Sequence, residues 1–335
     1  MRVTSIAVAV FVAAVVAGCV ATSSSSTTHK KAGPLPSPFV VLARLGEKSL
    51  GLNHPRGLAI GADGNVYLTD LSQRVTVISP AGRVLRRWGR PGRRPGEFHF
   101  VATDPNDPTD LHSWLSVGPS GEVYVADSGN NRVQVFTPRG QFMRQFGSSG
   151  NGRGQFASLF SVVVDVAGNV YATEGSTARL GVVTKFSPAG NVVWQIGGVA
   201  SSNADLTVPI APLSMDPHGR LVTINDDGQV LYIDTDGHEL DSFDGTRGVF
   251  PSPPPVCGVT VDPLGYTYVT GCGQNPSCMA CGATLVFDRT HRLVAEWTGA
   301  HDPLDRSPVF GSHGEVFALG RDGSVLRLRL TLPGG

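Results

Sequence analysis

The feature that most narrows the fold of this chain is a repeated pair of turns. Glycine recurs at one position of a unit, as Asp63-Gly64, Ser120-Gly121, Ala167-Gly168, His218-Gly219, Leu264-Gly265 and His313-Gly314. Each pair lies between two short apolar runs, such as Leu58 to Ile60 and Val66 to Leu68, or Leu115 to Val117 and Val123 to Val125. Brief runs of β-branched and aromatic residues punctuated by Gly, Pro and Asn read as antiparallel strands joined by tight turns. A second turn recurs as Ser79-Pro80-Ala81-Gly82, Thr137-Pro138-Arg139-Gly140, Ser187-Pro188-Ala189-Gly190 and Thr235-Asp236-Gly237, with a further run after each. Each unit is thus one small four-stranded sheet, which cannot shield its own apolar faces and must stack on its neighbours. Successive glycines of the first turn stand 46 to 57 residues apart, in the range of propeller blades.

Six such glycines count six blades. The sixth unit has no fourth run after Val325 to Leu330, while an unclaimed run of that pattern, Phe39 to Gly46, stands near the front of the chain. The predicted fold is all-β. It is a single six-bladed β-propeller of four-stranded antiparallel blades over residues 38–335, closed by an N-terminal strand that completes the last blade. Such closure removes open sheet edges. With 42 glycines, 24 prolines, 41% hydrophobic and only 16% charged residues, the chain suits many short strands around a core and not a disordered coil. Its 27 Lys and Arg balance 27 Asp and Glu, so no global basic field draws it to nucleic acid, and none is expected as a partner.

Residues 1–19 read as an address. Arg2 supplies a positive start, and Ile6 to Ala17 is an apolar run shorter than the ~20 residues that cross a bilayer as a helix. The tetrapeptide Val16-Ala17-Gly18-Cys19 resembles the bacterial lipobox, which implies cleavage before Cys19, its lipidation and stable anchoring by more than one acyl chain. An ordinary secretory signal cut elsewhere, or an uncut anchor helix, is the other reading, and either places the body outside the cytoplasm. The expected location is therefore extracytoplasmic, lipid-anchored to the bacterial cell membrane. Residues 20–37, rich in Ser, Thr, Lys and Pro, read as a flexible tether.

The units resemble NHL repeats, a six-bladed propeller family. Gly121-Glu122-Val123-Tyr124-Val125-Ala126-Asp127 followed by Asn130-Asn131-Arg132-Val133-Gln134-Val135-Phe136 carries the likeness. Two loops add to it, because Gly89, Gly92, Gly96 and Phe98 share their spacing with Gly147, Gly150, Gly154 and Phe156. The resemblance implies a monomeric binding or scaffold module without a cofactor, presenting a loop face to a protein, peptide or cell-surface glycan. Loops that enter the first strands and join second to third strands share that face, which gathers His54, Arg56, Arg90, Arg93, Arg94, His112 and Trp114. Arg83, Arg86 and Arg87 fall on an outer strand, where arginine keeps an edge from pairing. Arg90, Arg93 and Arg94 flank prolines in a face loop and suit phosphate or carboxylate partners.

The alternative is an enzyme. Asp70, Asp127, Glu174 and Asn225 sit at matching ends of second strands, and propellers similar to the SMP-30/gluconolactonase group place such oxygens around one divalent cation. The same acids recur with an arginine, Asp70 with Arg74, Asp127 with Arg132 and Glu174 with Arg179, which reads as an ion pair bracing each loop. Pro108-Thr109-Asp110 also resembles the peptidyl-hydroxyglycine amidating lyase, which holds zinc with channel histidines. This chain has Ala157-Ser158-Leu159-Phe160 where a histidine is wanted, and His54 and His112 differ in phase, so no catalytic residue is assigned. The fifth unit carries Cys257, Cys272, Cys278 and Cys281. Outside the cytoplasm an even cluster reads as two disulfides worth ~2–4 kcal/mol each, with three connectivities open. Zinc on four thiolates is the rival, because Cys278-x-x-Cys281 has ligand spacing.

Overall fold

The computed structural model describes residues 35–100, 113–176, 179–197, 212–225, 227–247, 256–271, 282–297 and 304–332. Its strands form six antiparallel sheets of four, the all-β propeller that the turn spacing predicts. A strand at the front, Phe39–Leu45 (β1), precedes the first blade. Blade 1 is Gly57–Ile60 (β2), Val66–Asp70 (β3), Arg74–Ile78 (β4) and Val84–Trp88 (β5). Blade 2 is Leu115–Val117 (β6), Val123–Asp127 (β7), Arg132–Phe136 (β8) and Phe142–Phe146 (β9). Blade 3 is Leu159–Val164 (β10), Val170–Ser176 (β11), Arg179–Phe186 (β12) and Val192–Ile196 (β13). Blade 4 is Ser214–Met215 (β14), Leu221–Ile224 (β15), Gln229–Ile233 (β16) and Glu239–Asp244 (β17). Blade 5 is Val256–Val261 (β18), Thr267–Gly271 (β19), Thr284–Phe287 (β20) and Leu293–Trp297 (β21). Blade 6 is Val309–Phe310 (β22), Val316–Leu319 (β23) and Val325–Leu330 (β24), with β1 as its outer strand.

First strands stand side by side around the axis, β22 beside β2, β2 beside β6, β6 beside β10, β10 beside β14 and β14 beside β18. β1 runs antiparallel to β24, with Phe39 opposite Leu330, Leu45 opposite Val325 and a bulge at Leu42. The Thr331 N–H donates to the Pro38 carbonyl at 3.0 Å, so the two ends of the described body touch.

Because side chains alternate across a strand, each sheet is apolar on both faces and its core lies between blades. Six buried clusters result, each spanning one seam. Val75 and Val77 of blade 1 pack with Val125 and Phe136 of blade 2, for example, and Phe317 and Val325 of blade 6 pack with Leu58 and Ile78 of blade 1. The turn between third and fourth strands completes the seam. Gly140, at φ +84°, closes that turn in blade 2, and a Cβ there would stand 2.5 Å from the Trp88 ring of β5. Trp88 can therefore lie over the turn and meet Phe136 at 5.9 Å.

Blade 5 departs from the pattern. Its turn residue is His291, a non-glycine held at φ 59°, whose ring stacks on Phe243 of β17 at 4.2 Å with 12° between planes. Its Nε2 lies 3.4 Å from an Asp241 carboxylate oxygen. The outer-strand arginines also do more than guard an edge. Arg86 donates to the Pro138 carbonyl of blade 2 at 2.6 Å, and Arg87 donates to the Leu50 carbonyl in the short helix Glu47–Leu50.

Gly140→Ala combines left-handed backbone strain with overpacking against Trp88 and is expected to cost about 2–4 kcal/mol in urea unfolding. Gly219→Ala shares the positive φ, but its Cβ meets nothing within 4 Å. It should cost only ~1 kcal/mol. Equal costs would remove the seam's role in requiring glycine.

Candidate functional site

The loop between blades 1 and 2 is built around Glu97. The chain folds back so that Pro91 bridges Phe98, as Ser149 bridges Phe156 between blades 2 and 3. Glu97 Oε2 accepts the Arg93 and Arg94 N–H groups at 3.1 and 3.0 Å, and Oε1 accepts Arg90 Nε and Nη2 at 3.1 and 2.9 Å. The Arg94 N–H, and then the Arg90 guanidinium, hold the carboxyl below the usual carboxylate range. From beneath, Arg132 donates to the carbonyls of Arg93, Arg94 and Glu97 at 2.8, 2.9 and 3.0 Å. Gln134 Nε2 donates to the Glu97 carbonyl at 2.7 Å. Arg93 and Arg94 are thus exposed side chains on a braced backbone, whereas Arg90 is committed to Glu97.

The acids at the ends of the second strands hold the incoming loops. Asp127, fully buried, accepts His99 N at 2.7 Å, Arg132 Nε at 2.8 Å, and Asn130 Nδ2 and Gln134 Nε2 at 2.9 Å each. Asp70 accepts Ser72 N at 2.8 Å and Asn53 N at 3.3 Å, with Arg74 Nε at 3.6 Å. Burial pushes the Asp70 carboxyl above its ordinary value despite Arg74. Glu174 Oε2 accepts Ala157 N at 2.8 Å, and Asn225 Oδ1 accepts Gln229 N at 2.8 Å. In Asp70, Asp127 and Glu174 the bonded amide belongs to the loop that enters the same blade, so one device is used three times. Among the described residues no three His, Cys, Asp or Glu side chains gather to hold a metal ion.

Nearer the axis, the structure brings together residues that the sequence separates widely. Arg56 Nη1 lies 3.1 Å from Asp305, and Arg306 Nε lies 3.7 Å from the same carboxylate. The Arg306 guanidinium sits 5.4 Å over the Trp114 ring, and Trp114 meets Phe160 at 6.3 Å. Arg56 and Trp114 were legible as face residues; Asp305, Arg306 and Phe160 were not. Their signal is positional, since Arg56, Trp114 and Arg306 fall within a few residues ahead of a first strand. His54 stands apart, exposed at φ 48° with its backbone N–H on Glu47. Cys257 is buried and disulfide-bonded. His112, Cys19, Cys272, Cys278 and Cys281 lie outside the described residues, as does the side chain of Arg179.

Residues 115–136, from β6 to the end of β8, match the family model of the NHL repeat. The protein is a six-bladed propeller whose second blade is similar to an NHL repeat. It is 34% identical over 116 residues to the peptidyl-glycine alpha-amidating monooxygenase of Mus musculus, a match covering 32% of this chain and 11% of that protein. NHL repeat-containing protein 3 of Mus musculus is 31% identical over 118 residues, covering 32% of this chain and 31% of its own. The chain therefore spans a minor part of these curated relatives. Among solved structures, streptogramin B lyase superposes with a TM-score of 0.53 at 13% identity, over 88% of this chain and 98% of that one. Virginiamycin B lyase from Staphylococcus aureus superposes with a TM-score of 0.54 at 12% identity, over 87% and 99%. Both are similar in fold.

The raised Asp70 pKa sets a pH dependence. A carboxyl whose folded pKa exceeds its unfolded value favours folding most when protonated, below about pH 4, and that contribution is lost as pH rises through the folded value. Asp70→Asn lacks this loss, so its Tm relative to the parent should climb between pH 4 and pH 7. A constant difference across that range contradicts the assignment.

Proposed function

We propose that this protein is a non-catalytic binding module that offers its braced loop face to a protein, peptide or cell-surface glycan bearing carboxylates or phosphates. The observation that carries this reading is the Glu97-centred loop. Its backbone is fixed by the Glu97 side chain and, from beneath, by Arg132 and Gln134, while the guanidinium groups of Arg93 and Arg94 remain at the surface. A rigid loop presenting planar donors meets an oxyanion with little ordering cost on binding. The carboxylates suited to a catalytic cation are occupied in holding loops, which favours binding over hydrolysis. We further propose that a lipid on Cys19 anchors the body outside the cytoplasm and that the cysteines of blade 5 form two disulfides around an enlarged loop. In this reading the module works as a monomer and without a cofactor.

The likeness to amidating monooxygenases supports a second reading, a metal-dependent lactonase or lyase with one divalent cation near Asp70, Asp127, Glu174 and Asn225. The two are separable. Immobilised protein should capture an anionic partner from bacterial envelope extract, and Arg90→Gln with Arg93→Gln and Arg94→Gln should lower capture at least tenfold. Undiminished capture by the triple variant contradicts the loop-face reading. A stoichiometric divalent ion that is lost on Glu174→Ala and Asn225→Ala would establish the enzyme instead. Membrane fractionation of Cys19→Ser tests the anchor, with release into the soluble fraction expected and retention contradicting it.

A further inference from the structure

The first strands of all six blades enclose a cavity of about 310 Å³ along the axis. Every blade contributes an apolar side chain to its wall, namely Ile60, Val117, Val164, Met215, Val261 and Phe310, and no lining residue among those described is charged. Four hydroxyl residues interrupt this wall, Ser116, Ser214, Thr260 and Ser307. Thr260 in β18 and Ser307 ahead of β22 both line the cavity, and Thr260 Oγ1 and Ser307 Oγ are buried with no hydrogen-bond partner among the described residues. They belong to one side of the channel, since a Cβ on Gly258, two residues before Thr260, would stand 2.9 Å from Ser307 Oγ. Buried hydroxyls without partners are uncommon and destabilising in native proteins, and a pair beside a cavity points to an acceptor that arrives from outside. Arg306 precedes Ser307 directly, held over Trp114, with Arg56 across the same carboxylate.

We propose that the axial cavity binds a small amphiphile, a hydrocarbon group that ends in a carboxylate. Its apolar body packs among the aliphatic residues of the wall, and its carboxylate accepts hydrogen bonds from Ser307 and Thr260 near the Arg306 end. Size and depth agree with such a guest. An apolar cavity of about 150 Å³ suffices for benzene, and the three or four lining residues of each blade, at ~3.3 Å each, give a channel ~10–13 Å deep. Apolar walls favour a hydrocarbon over water, and the unpaired hydroxyls with neighbouring guanidinium groups favour an anionic acceptor over an ammonium. This site lies on the axis and stands independently of the braced loop face.

Octanoate is the probe, titrated calorimetrically into the purified protein at neutral pH. One-to-one binding is expected, with octylammonium at least tenfold weaker. Thr260→Val with Ser307→Ala should weaken octanoate at least tenfold while leaving the unliganded Tm unchanged or higher, because the double variant removes unpaired hydroxyls and no hydrogen bonds. Met215→Trp, which fills the cavity, should abolish binding. If that variant does not fold, the hydroxyl variant decides alone. Absence of saturable octanoate binding overturns the proposal, as does equal affinity for octylammonium or undiminished affinity in the double hydroxyl variant.

Discussion

Each seam of the ring is made by an outer-strand side chain of one blade lying against the next. Trp88 covers the turn at Gly140, Phe146 the turn at Gly190, Ile196 that at Gly237 and Leu45 that at Gly82. Glycine serves twice at these turns, because it adopts a positive φ without strain and leaves room for the neighbour's ring. At the seam between blades 4 and 5 the side chain is present, and His291 fills the space by stacking flat on Phe243. At the seam between blades 5 and 6 there is no such turn, since blade 6 is made from both ends of the described chain. There Phe39 of β1 meets Trp297 at 5.8 Å and Tyr268 at 5.4 Å. The seam core is thus continued by the strand that the front of the chain contributes.

This arrangement separates the residues that build the ring from those left to act. What recurs from blade to blade serves the blade: Asp70, Asp127 and Glu174 each take an amide of the loop entering their own blade. What does not recur is not required by the repeat. Arg93 and Arg94 crown one loop alone, and the positions around the axis differ in every blade, with Arg56, Trp114, Phe160 and Arg306 brought together although two of them stand almost two hundred residues apart. These acids are engaged in holding loops, and the irregular residues stand beside them.

The fold was legible because its signals are local. Strand period and turn glycines act over a few residues, and they place nearly every strand of blades 1 to 3 by inspection. The second turn of the fifth unit was not legible, since Asp288-Arg289-Thr290-His291 has no glycine. The surviving signal is the aspartate, whose Oδ1 accepts the Thr290 and Arg292 amides at 2.9 and 3.1 Å, as Asp234 does for Asp236 and His238 in blade 4. The outer arginines were read as edge guards because the carbonyl that Arg86 meets belongs to Pro138 in another blade. The axial site was hidden for the same reason. Thr260 and Ser307 are ordinary hydroxyl residues until closure of the ring puts them beside a shared cavity.

Closure by the shared last blade is the claim on which the rest depends, and truncation tests it most directly. Removal of residues 35–46 takes away β1, with Phe39 and its contacts to Tyr268 and Trp297. Scanning calorimetry of the truncated protein should show a melting temperature lower by about 10 °C or more, and fusing the same segment after Leu332 should restore much of the loss. A truncated protein that melts at the parental temperature would mean that the ring holds without its two ends paired, and would contradict the closure of the sixth blade.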